Sequence, residues 1–307
     1  MSKYPISKEF FPFSLFSPPI SEKFLKIAVP NMKVPKFIYK DKEIVTVRYE
    51  VKSFDNEAVE VFLFSPRALE ENAPCLIYIH GGGFVLPAAG YHYKNAMTYA
   101  KRVGCRVLFV NYRLAPQNHH PVFFEDCYSV LCWAFDNSEA LYIDKGRIGI
   151  GGDSAGSTLS AGVCMMVRDR SHPVSFRFQM LPYPFLDSRN NSEACKKYTD
   201  TPMWNSSLSA KIEPMLGADK SSKDYVYLSP VEADSFTGLP PAYIETAEFD
   251  CLHDDGILYA EKLRSAGIEV TLNETKGTIH GFDIMQKAPT TKSALEERIR
   301  FMKKYFD

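Results

Sequence analysis

Short runs of β-branched and aromatic residues alternate with longer amphipathic stretches along most of this 307-residue chain. That alternation predicts an α/β protein whose mostly parallel, eight-stranded sheet carries helices on both faces. Two glycine-punctuated motifs sharpen the expectation, because each follows an apolar run of strand length. They are His80-Gly81-Gly82-Gly83-Phe84, at the end of Cys75 to His80, and Gly152-Asp153-Ser154-Ala155-Gly156, after Arg147 to Ile150. Open α/β sheets collect ligands and reacting groups at such strand ends.

The first two strands, Glu43 to Val51 and Ala58 to Phe64, follow each other too closely for a crossover helix and are expected to pair antiparallel at an edge. Strands at Cys75 to His80 and Arg106 to Asn111 flank a helical stretch, Tyr93 to Val103. The next helix, Val122 to Phe135, follows Pro121, and its Phe124, Cys127, Val130, Leu131 and Ala134 recur at three- and four-residue steps to give one apolar face. Arg147 to Ile150 is a strand that leads through the serine motif into a helix over Ala155 to Arg168. Strands at Ser175 to Leu181, Ala242 to Ala247 and Glu269 to Asn273 complete the sheet, with helices at Gly256 to Ser265 and Lys292 to Tyr305.

Two segments stand outside this alternation. Residues 1–42 are rich in aromatics and proline, and residues 187–239 are polar, with one short helical piece at Ser207 to Met215. The second lies between two core strands and reads as an insertion above the sheet. Residues 43–186 and 240–307 are therefore expected to form the core, with 1–42 and 187–239 as a cap that gives the site an apolar ceiling. The N-terminal Phe10, Phe11, Phe13, Leu15 and Phe16, with Phe84, read either as the wall of an apolar pocket of limited depth or, equally, as plain core. That cluster does not read as a secretion signal, because Pro12, Pro18 and Pro19 interrupt it and Glu9 sits inside it.

Composition excludes several classes. A net charge of −1 gives no electrostatic case for nucleic acid or an anionic membrane, and no apolar run approaches the ~20 residues that span a bilayer. Seven cysteines without CxxC spacing, several inside apolar runs, point to free thiols in a reducing, cytoplasmic setting. The Asn-x-Ser/Thr matches at Asn190, Asn205 and Asn273 carry no meaning there. Neither Gly81 to Leu86 nor Gly149 to Ser154 completes a dinucleotide-binding Gly-x-Gly-x-x-Gly, and no metal-ligand spacing appears, so no cofactor or metal is expected.

What remains is acyl-transfer chemistry. Ser154 lies between a strand and a helix, where a tight turn can expose its hydroxyl, and Gly152 and Gly156 make that turn sterically feasible. Such a pattern arises by chance in roughly a few per cent of chains this long, whereas His-Gly-Gly-Gly arises in about one in a thousand. The glycine loop can turn peptide N–H groups towards an oxyanion, and Ala155 N–H at a helix start adds a donor.

A serine hydroxyl needs a base and the base an orienting carboxylate. Among seven histidines, His280 lies past the last core strand, in Gly277-Thr278-Ile279-His280-Gly281-Phe282. His80 reads as fixing the glycine loop and His119 and His120 as solvated in a polar turn, while His92, His172 and His253 have no comparable setting. Asp250 follows the strand Ala242 to Ala247. Its rivals Asp254 and Asp255 open a helix, where acids offset the dipole.

These motifs, with Asn111-Tyr112-Arg113-Leu114-Ala115-Pro116, resemble the hormone-sensitive-lipase-like group of α/β hydrolases, which includes bacterial acetyl esterases and carboxylesterases. They run in that group's order from about residue 75 to 282. The resemblance implies an α/β-hydrolase fold, a cap, Ser154, Asp250 and His280 as catalytic triad, and Gly82, Gly83 and Ala155 as oxyanion donors. It also implies a cofactor-free serine carboxylesterase for small esters with short to medium acyl chains, and a homodimer through the edge strand near Glu269. Gln117 stands where the group commonly has glutamate, Cys251 where it has proline, and His253 where arginine is frequent. An amidase, a deacetylase of a sugar or drug-like ester, and a non-catalytic receptor on the same fold are the alternatives.

Overall fold

The computed structural model describes residues 3–13, 15–29, 32, 34–69 and 71–307. Its single sheet holds eight strands: β1 (Ile44–Lys52), β2 (Ala58–Pro66), β3 (Ala73–Ile79), β4 (Arg106–Asn111), β5 (Ile143–Gly152), β6 (Phe176–Pro182), β7 (Ala242–Phe249) and β8 (Val270–Ile279). Their order is β1-β2-β4-β3-β5-β6-β7-β8. β1 and β2 form the expected antiparallel edge, with Ile44 opposite Pro66 and Lys52 opposite Ala58. β2 meets β4 antiparallel, and every pairing from β4 through β8 is parallel.

The alternation of side chains along the strands builds two cores, one on each face. Ile77, Ile79, Leu108, Val110, Ile148 and Ile150 join α3 (Val122–Asp136), α4 (Ala155–Asp169) and α8 (His253–Ser265) on one face. Leu76, Tyr78, Val107, Phe109, Phe178 and Met180 join α2 (Gly90–Tyr99) and α9 (Pro289–Phe306) on the other. β3 is buried throughout its length, as its unbroken apolar run requires.

Element ends differ from the sequence expectation where polar residues disguise regular structure. β8 runs six residues past Asn273, through Glu274, Thr275 and Lys276, because an edge strand tolerates polar residues on its open side. α2 starts at Gly90 and passes into a π turn at Ala100–Gly104 rather than continuing as one helix to Val103. α9 begins at Pro289, whose missing N–H costs nothing in a first turn.

Between β6 and β7 the chain forms α5 (Glu193–Lys197), α6 (Ser206–Ile212) and α7 (Tyr225–Leu228) with short 3-10 turns. Asp255 ties the start of this segment to the core. Its Oδ2 accepts N–H bonds from Leu186 (3.1 Å) and Asp187 (3.2 Å), and burial pushes its carboxyl well above the usual carboxylate range. The reading of Asp255 as a simple helix-dipole acid is corrected accordingly. Asp254 also reaches this segment, accepting from Ala194 N–H at 2.8 Å. Among the described residues no helix is long and apolar enough to cross a membrane.

Candidate active site

β5 delivers the chain to Gly152, Asp153 turns it, and α4 starts at Ala155, so Ser154 occupies the corner. Its φ of 55° and ψ of −120° are strained for a residue with a Cβ. Two contacts hold that strain: Ser154 N–H donates to Pro182 O at 3.0 Å, and Ser157 Oγ–H donates to Gly152 O at 2.6 Å. The flanking glycines answer to one atom. A Cβ on either Gly152 or Gly156 would lie 2.1 Å from the carbonyl oxygen of Ile79, at the end of neighbouring β3.

Ser154, His280 and Asp250 come together from three separate parts of the chain. Asp250 Oδ2 lies 2.7 Å from His280 Nδ1, and a carboxylate only accepts, so the imidazole proton sits on Nδ1. Nε2 is therefore a bare acceptor, 2.8 Å from Ser154 Oγ. Leu252 N–H donates to Asp250 Oδ1 at 3.0 Å and fixes the carboxylate plane. All three residues are buried. Such a line can take the hydroxyl proton as Oγ attacks.

Beside Ser154, Gly82 and Gly83 turn with φ of +120° and +61°. The N–H groups of Gly82, Gly83 and Ala155 donate to no acceptor among the described residues. His80 anchors this loop as expected: its Nδ1–H donates to Gly81 O at 2.7 Å and its ring stacks on Tyr112 at 4.5 Å. Burial, reinforced by His92, lowers the His80 pKa to about 3, which keeps the ring neutral. The Tyr112 hydroxyl donates to His80 O at 3.0 Å, and Ala115 N–H donates to Phe84 O at 2.9 Å. The Asn111 to Pro116 motif is thus a brace for the glycine loop. Gln117 just beyond it donates to Leu25 O at 3.2 Å, outside the site.

Three histidine readings change or gain content. His120 is buried, with its N–H on Leu216 O at 2.8 Å and its ring edge-on to Phe124, so it is not solvated. Burial lowers its pKa, and Nε2 has no partner among the described residues. His119 is exposed, as expected, and its ring lies beside Gly217 on the same β6–β7 segment. His92, for which the sequence offers no role, is buried with its Nε2 3.0 Å from Asp153 Oδ2. Ala89 N–H donates to His92 Nδ1 at 2.8 Å, so the ring carries its proton on Nε2 and donates to the carboxylate. The Tyr78 hydroxyl donates to Asp153 Oδ1 at 2.7 Å. Burial opposes ionisation of Asp153, but His92 and Tyr78 outweigh it and hold the carboxyl below the usual range.

A cavity of 440 Å³ opens on Ser154, Ala155, Gly83 and Phe84 and is walled by Phe185, Trp204 and Leu228. Phe84 packs on Phe123 at 5.1 Å. The cavity wall comes from the core and the β6–β7 segment, and no described residue of 1–42 lines it. The expected contribution of N-terminal aromatics to the pocket is corrected: Phe10 packs on Phe282 at 5.9 Å and Tyr4 on Tyr198 at 5.6 Å, behind the His280 loop. Among the described residues no group of three His, Cys, Asp or Glu side chains is placed to hold a metal.

Known proteins share this fold. A family model described as alpha/beta hydrolase fold matches residues 76–284. Carboxylesterase NlhH of Mycobacterium tuberculosis is 34% identical over 228 residues, covering 73% of this chain and 71% of that protein. Arylacetamide deacetylase of Bos taurus is 31% identical over 268 residues, 67% of each chain. Among solved structures, a bacterial heroin esterase superposes with a TM-score of 0.88 at 28% identity, covering 99% of this chain and 98% of its own. Esterase LipW of Mycobacterium marinum gives 0.81 at 26%, covering 92% and 87%. The chain belongs to the α/β-hydrolase fold family, in its hormone-sensitive-lipase-like group.

Proposed function

We infer that this chain is a carboxylic ester hydrolase that works through a Ser154–His280–Asp250 triad. The observation that carries the reading is the hydrogen-bonded line, 2.8 and 2.7 Å, ending beside the N–H groups of Gly82, Gly83 and Ala155. Ser154 Oγ attacks the ester carbonyl while its proton passes to His280 Nε2. The carbonyl oxygen becomes an oxyanion held by the three N–H groups, each worth about 3 kcal/mol of transition-state stabilisation. Asp250 stabilises the imidazolium. Collapse breaks the acyl–oxygen bond, His280 returns its proton to the departing alcohol, and water repeats the sequence on the acyl-enzyme.

The leaving alcohol must sit against His280 to receive that proton. The 440 Å³ cavity opens on the oxyanion side of Ser154, and His280 is not among its walls, so it houses the acyl portion. Its apolar wall suits short- to medium-chain acyl groups, in keeping with the carboxylesterase and heroin esterase relatives. Residues 187–239 act as the cap that closes this cavity, with 1–42 supporting it from behind. The seven free cysteines suit a reducing, cytoplasmic compartment. The arylacetamide deacetylase relative favours amide cleavage as the second reading.

Turnover of p-nitrophenyl esters from acetate to laurate tests this. Short and medium esters should be cleaved, and Ser154→Ala and His280→Ala should each lose about 10³-fold or more of kcat. Full activity in either variant overturns the triad.

A further inference from the structure

β6 ends in Pro182, and the next residue, Tyr183, turns back under the His280 loop with a φ of 35°. Its ring stands edge-on to the His280 imidazole at 5.0 Å and 69°. The far end of that ring is not left to packing alone. The Tyr183 hydroxyl donates to Asp283 Oδ1 at 2.6 Å, and Asp283 lies three residues beyond His280 on the same turn. Asp283 Oδ2 in turn accepts from Arg298 Nη1–H at 2.7 Å, and the opposite side of that guanidinium donates to Glu245 Oε1 on β7 at 2.5 Å. The Tyr183 backbone N–H donates to Glu245 O at 2.6 Å. All four residues are buried, and Arg298 is 1% exposed.

Buried ionic groups are poor evidence for stability, because desolvation offsets most of their attraction. They do fix geometry, since each bond restricts the partner's orientation. Here the restricted partner is a ring whose one aromatic neighbour of functional interest is His280. An imidazole joined to Asp250 through Nδ1 can still swing about that bond, and a swing moves Nε2 off Ser154 Oγ. Trp204, tilted at 39° and 6.1 Å, bounds one side of His280, and Tyr183 bounds another.

We propose that Tyr183 is a positioning residue for His280, and that Asp283 and Arg298 set the tilt of its ring. This rests on His280 being the base of the hydrolytic reaction. Tyr183 touches neither the cavity nor the reacting atoms, so its effect falls on the rate of proton transfer and not on substrate binding. A misplacement of about 1 Å at a reacting group costs on the order of 10²-fold.

The test is steady-state turnover of p-nitrophenyl acetate by Tyr183→Phe, Tyr183→Leu and Asp283→Asn, beside wild type, Ser154→Ala and His280→Ala. Tyr183→Phe keeps the aromatic wall but loses the hydroxyl's hold on Asp283, and kcat should fall about three- to fivefold. In Tyr183→Leu kcat should fall roughly 30- to 100-fold with KM within twofold. Asp283→Asn, which loses the charge that draws Arg298 but still offers an oxygen to the Tyr183 hydroxyl, should lower kcat by about threefold and by no more than Tyr183→Phe does. A folded Tyr183→Leu with wild-type kcat overturns the proposal, as does a rise in KM that accounts for the loss. If Tyr183→Leu does not fold, Asp283→Asn decides: an unchanged kcat refutes the positioning role. Activity in His280→Ala would instead refute the underlying triad, so the two failures are separable.

Discussion

Replacing Asp153 by asparagine removes one oxygen's worth of acceptor from a site where two hydroxyls, those of Tyr78 and Tyr91, and one imidazole N–H converge. The carboxylate accepts from the Tyr78 hydroxyl at 2.7 Å and from His92 Nε2–H at 3.0 Å, and it lies against the glycine loop, with Oδ2 only 2.5 Å from where a Gly81 Cβ would stand. An amide offers one accepting and one donating end. With its oxygen towards His92, its NH₂ meets Tyr78, whose hydroxyl must then turn and leave its own proton unsatisfied. With its oxygen towards Tyr78, its NH₂ meets a second donor, because Ala89 N–H holds His92 in the Nε2–H form. Two charge-assisted bonds at about 1.5–3 kcal/mol each give way to neutral bonding that leaves at least one donor unpaired, partly offset by relief of a buried charge. The expected net cost is about 2–3 kcal/mol, a Tm lower by roughly 3–5 °C.

The same substitution should lower kcat by about tenfold or more, because the glycine loop rests on this carboxylate. Thermal unfolding and ester turnover on one preparation test both. The folded protein holds the Asp153 carboxyl below its ordinary value. Its stabilisation is therefore complete above about pH 4 and fades as pH falls through the depressed folded value, so the Tm gap between wild type and variant should narrow in acid. A variant with wild-type Tm and kcat at pH 7 would refute the reasoning.

Two further outcomes follow from named contacts. Gly156→Ala places a Cβ 2.1 Å from Ile79 O and 2.8 Å from His80 O, two backbone atoms that cannot step aside. Soluble expression should collapse, or stability fall by more than the ~1–3 kcal/mol of ordinary overpacking, as measured by denaturant unfolding. His120 is held neutral by burial, with its folded pKa below the usual histidine value, so its contribution is present above about pH 6.5 and lost as pH falls through the folded value. Wild type should therefore lose Tm more steeply than His120→Asn as pH falls below about 6.5.

The sheet was legible because its central strands are buried on both faces and leave unbroken apolar runs, as Cys75 to Ile79 and Val107 to Val110 do. The end of β8 was not, since Glu274 and Lys276 on an open edge look like a turn. Ser154, Asp250, His280 and the glycine loop could be read from local context: a strand before, a helix or loop after, glycines where backbones meet. His92, Tyr183, Asp283 and Arg298 could not. Their partners lie far along the chain, His92 and Asp153 at a sequence separation of 61 and Tyr183 and Asp283 at one of 100, and no local pattern marks a polar pair closed by the fold. The N-terminal aromatics misled for a related reason: aromatic content signals burial but not which surface does the burying.

The most direct test of the central claim is covalent capture by a fluorophosphonate, read by intact mass and peptide mapping. A single adduct on Ser154 that disappears in His280→Ala is the predicted result. No adduct on folded protein, or one on a different residue such as Ser157, would contradict an activated Ser154 nucleophile.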